Sequence, residues 1–138
     1  MRVMKKLSSI LLIDDDSTTN FLNTLLLKRL GVSDKLLVAE NGAEGLHTLT
    51  EACTEASATC PTLVLLDVNM PVMNGVEFLE NYQHLSPAVR QAIVVVLLTT
   101  SVHPRDLERV QQLPIAGTIS KPLTEEKIKG ILQQYFPD

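Results

Sequence analysis

The sequence predicts an α/β protein built on a doubly wound, five-stranded parallel sheet, and three observations carry the prediction. Short apolar runs at 10–13, 36–39, 63–66, 93–98 and 115–119 are bounded by polar or turn residues, as buried parallel strands are. Between them, apolar residues repeat at helical spacing, and such strand–helix alternation places helices on both faces of a parallel sheet. The third observation is chemical. Asp14 and Asp15 follow the first run, Asp67 the third and Lys121 the fifth, while Thr99 ends the fourth. Ligands of an open parallel sheet bind beyond the carboxyl ends of its strands, so these side chains are expected on one rim.

The elements follow in order. Ile10, Leu11, Leu12 and Ile13 form the first strand. Ser17 is expected to cap a helix with Leu22, Leu25, Leu26 and Leu30 on its inner face and Gly31 at its end. A shorter second strand covers 36–39, and Asn41-Gly42 turns into a helix that buries Ala43, Leu46, Leu49 and Cys53. The polar stretch 54–59 is a longer connection to the strand that ends at Asp67. Gly75 opens a helix with Val76, Leu79 and Tyr82 on one stripe. The fourth strand is 93–98, and Pro104 suits the first turn of a helix carrying Leu107 and Val110. A fifth strand at 115–119 is interrupted by Gly117. Thr124 then caps a last helix with Glu125 and Glu126 at its positive end and Ile128, Ile131, Leu132 and Tyr135 inside. The expected strand order is 2-1-3-4-5, which puts the topological switch point between the two strands that carry the acids.

Composition narrows the function. One domain over residues 1–138 is expected from the length and the absence of any compositional break. A formal charge of -4 argues against a nucleic-acid surface, which needs a basic patch. No apolar run approaches the roughly 18 residues of a membrane span. The apolar start has no small-residue cleavage site and runs into Asp14-Asp15-Asp16, so it is not read as a signal peptide and a cytoplasmic protein is expected. Cys53 and Cys60, without neighbouring histidines, make a poor metal pair, and packing is the expected role of Cys53. His84 and His103 read as surface residues.

Gathered on one rim, the three carboxylates repel, at roughly 4 kcal/mol per pair for charges 4 Å apart and an effective dielectric near 20. A hard divalent cation relieves that repulsion, and an all-oxygen site favours Mg²⁺. With Lys121 present the charges cancel, and a phosphoryl group would be held by metal, ammonium and the Thr99 hydroxyl. Asp67 is then the natural nucleophile, giving an acyl phosphate.

The segments Ile10-Leu11-Leu12-Ile13-Asp14-Asp15-Asp16, Leu65-Leu66-Asp67-Val68-Asn69-Met70-Pro71-Val72-Met73-Asn74-Gly75, Leu97-Leu98-Thr99-Thr100-Ser101 and Ser120-Lys121-Pro122-Leu123 closely resemble the receiver domains of two-component response regulators. The resemblance covers essentially the whole chain with its motifs in the right order. It implies a flavodoxin-like (βα)5 fold and a stand-alone bacterial-type regulator of the chemotaxis-regulator kind; no output domain is expected, since nothing after Tyr135-Phe136-Pro137-Asp138 could form one. By position it makes Asp67 the phospho-acceptor, Asp15 a direct Mg²⁺ ligand, Asp14 a largely water-mediated one and Asn69 a ligand through its backbone carbonyl. Thr99 resembles the hydroxyl residue that moves toward the phosphoryl group, and Lys121 the phosphate-pairing lysine, whose bond to Pro122 is cis in the family. The implied donor is a phosphohistidine on a sensor histidine kinase or phosphotransfer protein. The implied output is protein contact through the fourth helix, fifth strand and fifth helix, or onward phosphoryl transfer.

Two positions depart from the family. Thr118 stands where an aromatic residue is usual, and Thr100 where a small one is preferred. Activation is therefore expected to use the backbone around Thr100 to Pro104 more than a rotating ring. Two other readings compete. Asp14-x-Asp16-x-Thr18 fits the first motif of haloacid-dehalogenase-type phosphatases, with Thr99 and Lys121 as later motifs. That scheme lacks a later acidic pair on a strand, since only Glu125, Glu126 and Asp138 follow Lys121, and it leaves Asp67 idle. A degenerate receiver that binds a partner without phosphate is the other, opposed by the intact acids, Thr99 and Lys121.

Overall fold

The structure, a computed structural model, describes residues 7–52, 63–67, 75–85, 90, 93–99 and 116–136. Among them run β1 (Leu7–Ile13), α1 (Ser17–Leu30), β2 (Ser33–Ala39), α2 (Gly42–Ala52), β3 (Leu63–Asp67), α3 (Gly75–Tyr82), β4 (Val94–Thr99), β5 (Gly117–Ser120) and a closing helix, α4 (Glu125–Tyr135). The strands form one five-stranded sheet in the order β2-β1-β3-β4-β5, and every neighbouring pair is parallel. This is the expected topology.

The apolar runs are continuous because both faces of the sheet are covered. Leu11, Ile13, Val64, Leu66, Val95 and Leu97 pack with Leu49 of α2 and with Phe78 and Tyr82 of α3. Their neighbours Ile10, Leu12, Leu63, Leu65, Val96 and Leu98 pack on the other side with Leu27 of α1 and Ile128, Ile131 and Leu132 of α4. Successive strand side chains point to opposite faces, so each run supplies two cores.

Strand lengths differ from the expectation where hydropathy is a poor guide. β1 starts three residues before its apolar run, and β2 has seven residues rather than four, because ladder pairing carries Leu7↔Ser33 and Ser9↔Lys35. Backbone hydrogen bonding sets those ends. The edge position lets Asp34 and Lys35 face water within the strand. β5 is correspondingly short, entered by the Ala116 N–H donating to the Val95 carbonyl at 2.8 Å.

The helix ends are largely as expected, with one change of cap. Asp16, not Ser17, caps α1; its carboxylate accepts from the backbone N–H groups of Thr18 and Thr19 and from the Thr19 hydroxyl. The Thr19 hydroxyl, then the two N–H groups, holds the Asp16 carboxyl below the ordinary value of 3.8. Gly31 ends the helix in the left-handed region at φ 63°, donating its N–H to the carbonyls of Leu27 and Lys28. Asn41 caps α2 through its side-chain oxygen, 2.8 Å from the Glu44 nitrogen. Thr124 caps α4 as expected, accepting from Lys127 N–H.

The inner faces required more correction. On α1 the buried residues are Asn20, Asn23 and Leu27; Leu26 and Leu30 are half-buried, whereas Leu22 and Leu25 are 57% and 49% exposed beside Phe21. The helix is rotated so that Asn20 can donate its amide to the Asp14 carbonyl at 2.8 Å. On α2, Ala43 is exposed and Gly45 is buried instead. A Cβ at Gly45 would meet the Ile13 side chain at 2.5 Å and the Phe78 ring at 3.3 Å, so any larger residue would have to displace Ile13 from the core for the helix to lie this close to the sheet. Phe78, absent from the expected stripe of α3, is fully buried and stacks on Tyr82 with ring centroids 6.1 Å apart. Tyr135 reaches over β5, and its hydroxyl donates to the Ala116 carbonyl at 2.9 Å. Gly117 is what makes room, since a Cβ there would lie 2.6 Å from that hydroxyl.

His84 is exposed, as expected. Cys53 and Cys60, His103, and the helix predicted around Leu107 and Val110 lie outside the described residues.

Burial raises the Tyr82 phenol to about 12, against a smaller lowering by the Arg90 charge. A raised pKa contributes stability in full below 10, the ordinary value, and loses it as pH rises toward 12. The sequence has two tyrosines, so Tyr135→Phe leaves Tyr82 as the sole phenol. Its ultraviolet titration should centre near 12, with circular dichroism showing the fold intact at each pH. A midpoint near the ordinary 10 in the folded chain would mean that the ring is open to water.

Candidate functional site

The sheet register builds the site. Ile13 pairs with Leu66, so Asp14, the next residue after β1, comes level with Asp67 at the end of β3. Asp67 pairs with Leu98, and Thr99 pairs with Ser120, so Lys121 follows immediately at the same rim. The loop of Asp14 and Asp15 therefore meets the end of its neighbour β3, and the long Lys121 side chain reaches it from the end of β5, past β4 and β3.

Asp14 and Asp67 are buried, at 3% and 6% exposure, and Asp15 is exposed. Carboxylate oxygens of the three lie within 4.8 Å of one another. Asp14 is held at each of its polar groups: its N–H donates to the Ala39 carbonyl at 3.1 Å, its carbonyl accepts from Asn20, and its Oδ1 accepts from the Asp16 N–H at 2.9 Å. The remaining oxygen, Oδ2, meets the Lys121 ammonium at 2.9 Å, and the same ammonium lies 3.1 Å from Asp67 Oδ1. Burial opposes the Lys121 charge, but the hydrogen bonds and charges of Asp14 and Asp67 together outweigh it and raise the lysine above its ordinary 10.5. Lys121 is accordingly cationic at neutral pH, and its pairing weakens only as pH rises through that raised value.

Of the expected site residues, Asp14, Asp15, Asp67 and Lys121 are brought together. The backbone of Thr99 stands at the same rim; its side chain, like the whole of Asn69 and Thr100, lies outside the described residues. The Lys121–Pro122 peptide is cis, as the resemblance implied. Thr118 is exposed on β5. Asp16 is engaged in capping α1, which leaves it no place as the second acid of a phosphatase pair.

Asn20 was not anticipated. A buried asparagine in the second turn of α1 fixes the backbone of Asp14, and the sequence hint was a polar residue where the leucines shift out of phase. A hard cation fits what is present: an all-oxygen set, two members buried and one open to solvent, with more negative charge than Lys121 alone neutralises.

Residues 10–133 match the family model of the response regulator receiver domain. The chain belongs to that family. Over 137 residues it is 30% identical to a probable chemotaxis protein CheY of Rhizobium etli, covering 99% of this receiver and 97% of that protein. It is likewise 30% identical to the protein PilH of Pseudomonas aeruginosa, covering 88% and 92% of the two chains. The same unit matches 13% of the autoinducer 1 sensor kinase/phosphatase LuxN of Vibrio harveyi at 28% identity, so it also recurs as a small part of a larger protein. Among solved structures, a two component response regulator from Cytophaga hutchinsonii superposes with a TM-score of 0.84 at 27% identity, covering 97% of this receiver and all of that chain. The receiver is thus a phosphorylation-dependent switch of two-component signalling, with the parallel-sheet fold that its sequence predicts. The phosphatase reading is not favoured. No helix among the described residues is long and apolar enough to cross a membrane.

Proposed function

We propose that this receiver takes its phosphoryl group on Asp67, from a phosphohistidine of a sensor histidine kinase or phosphotransfer protein. The P–N bond to the donor imidazole breaks as a P–O bond to an Asp67 oxygen forms, and the electron pair stays on that ring nitrogen; the ring, already protonated on its other nitrogen, leaves as neutral imidazole. The observation that supports this best is the Lys121 ammonium resting on Asp67 at 3.1 Å, beside two further carboxylates. A cation already seated against the acceptor oxygen is available to pair with the phosphoryl oxygens, while Asp14, pinned by Asn20 and Asp16, keeps its orientation. Asp14, Asp15 and Asp67, with the Asn69 carbonyl, would hold Mg²⁺, which supplies charge neutralisation for the incoming dianion. Thr99 contributes the hydroxyl from the end of β4.

The donor's surface has a ready contact beside the site, since Phe21, Leu22 and Leu25 are exposed on the helix that Asp16 caps. The output is protein contact rather than nucleic acid, through β5, α4 and the predicted helix of Leu107 and Val110. A cavity of about 200 Å³ lined by Thr118, Gly130, Gln134 and Tyr135 supports that choice of face. The receiver acts in the cytoplasm and catalyses only its own phosphorylation and dephosphorylation.

The metal is tested by thermal or denaturant melts. At a Mg²⁺ concentration about 100 times its Kd, the wild type should gain about 2.7 kcal/mol by mass action. Asp15→Asn should lose most of that gain. Equal stabilisation of the two proteins would remove Asp15 from the ligand set.

A further inference from the structure

Lys127 breaks a local rule. It lies in the first turn of α4, where the helix dipole disfavours a cation and favours acids such as its neighbours Glu125 and Glu126. A residue set against its local preference calls for a compensating tertiary interaction. Lys127 has one: its ammonium donates to the Ser120 carbonyl at 2.7 Å, to the Ser120 hydroxyl at 3.3 Å and to the Pro122 carbonyl at 2.9 Å. These bonds can use all three N–H donors of the group. The two carbonyls flank Lys121 on either side in the chain, and Lys121 in turn contacts Asp14 and Asp67 at 2.9 and 3.1 Å.

We propose that Lys127 is a positioning residue for Lys121: by clamping the Ser120 carbonyl before it and the Pro122 carbonyl beyond the cis Lys121–Pro122 bond, it aims the Lys121 ammonium at Asp67. The inference rests on Asp67 being the acceptor. Lys127 does not touch the reacting atoms; it acts through the loop that carries Lys121. The Thr124 cap on the Lys127 N–H ties the same residue to the start of α4, so the clamp joins the site to that helix.

The test compares initial rates of phosphorylation by a small phosphodonor at saturating Mg²⁺, followed by intact mass, with circular dichroism as the fold control. Lys127→Met should slow uptake by at least about tenfold, in keeping with the cost of a misplaced catalytic group. Lys127→Arg, which keeps several donors, should stay within about threefold of wild type. In a Lys121→Ala background, Lys127→Met should cause no further loss, because nothing remains to be aimed. Should Lys127→Met unfold the chain, Lys127→Gln carries the same comparisons. A wild type that takes up no phosphoryl group overturns the functional reading and this inference with it. Uptake by wild type with an unslowed Lys127 variant, or equal slowing with and without Lys121, overturns the inference alone.

Discussion

Asp67→Asn should take up no phosphoryl group under conditions in which the wild type gains the mass of one. The side chain stays the same size and remains at the end of β3, but an amide oxygen is a far weaker nucleophile than a carboxylate. The substitution also removes one of two buried negative charges that meet Lys121. The variant should therefore fold, and easing the repulsion among acids within 4.8 Å of one another, roughly 3–4 kcal/mol per pair at a dielectric near 20, works in its favour. Loss of uptake in a folded chain separates chemistry from stability. Peptide mapping of the wild type completes the experiment: a phosphoryl group found on Asp14 would overturn the assignment of Asp67 and revive the phosphatase scheme.

Lys121→Met should destabilise the metal-free protein and, at the same time, enlarge the stabilisation that Mg²⁺ brings. Removing one member of a fully buried ion pair costs about 3–5 kcal/mol, because the charge left behind has neither water nor partner. Lys121 keeps 20% of its side chain exposed, and water can reach the vacated space, so about 2–3 kcal/mol is the expected loss. The same carboxylates would hold the metal. In the wild type Mg²⁺ therefore meets acids already partly neutralised, whereas in Lys121→Met it meets the full repulsion and relieves more of it. Melts of both proteins with chelator and with Mg²⁺ read the two effects together. Equal stability in chelator would show that the 2.9 and 3.1 Å contacts contribute nothing to the fold.

Most of the fold and the site was legible from residue order. Apolar runs of strand length, alternating with helical stripes, set the parallel topology; the runs of β1, β3 and β4 are covered on both faces, whereas that of the edge strand β2 leaves Val38 exposed. The acids and Lys121 stood at or next to strand ends, so placing the strands placed the site. Sequence reasoning was weakest where local chemistry and burial compete. Leu22 and Leu25 read as core because they are leucines at helical spacing, yet α1 turns them outward so that Asn20 can hold the backbone of Asp14. Phe78 lies off the stripe through Val76, Leu79 and Tyr82 yet is buried on the Tyr82 ring, and Gly45 has no side chain for a hydrophobic stripe to register.

The sequence alone determined the order of strands, the membership of the acidic cluster with Lys121, and the caps at Gly31 and Thr124. Each depends on residues close together in the chain or on the period of a single element. Tertiary structure decided the rotation of α1, the true lengths of β1 and β2, the role of Gly117 beneath Tyr135, and the grip of Lys127 on both sides of Lys121. Those features depend on which backbone groups are left to be satisfied once the sheet and helices have packed, and residue spacing alone does not specify that.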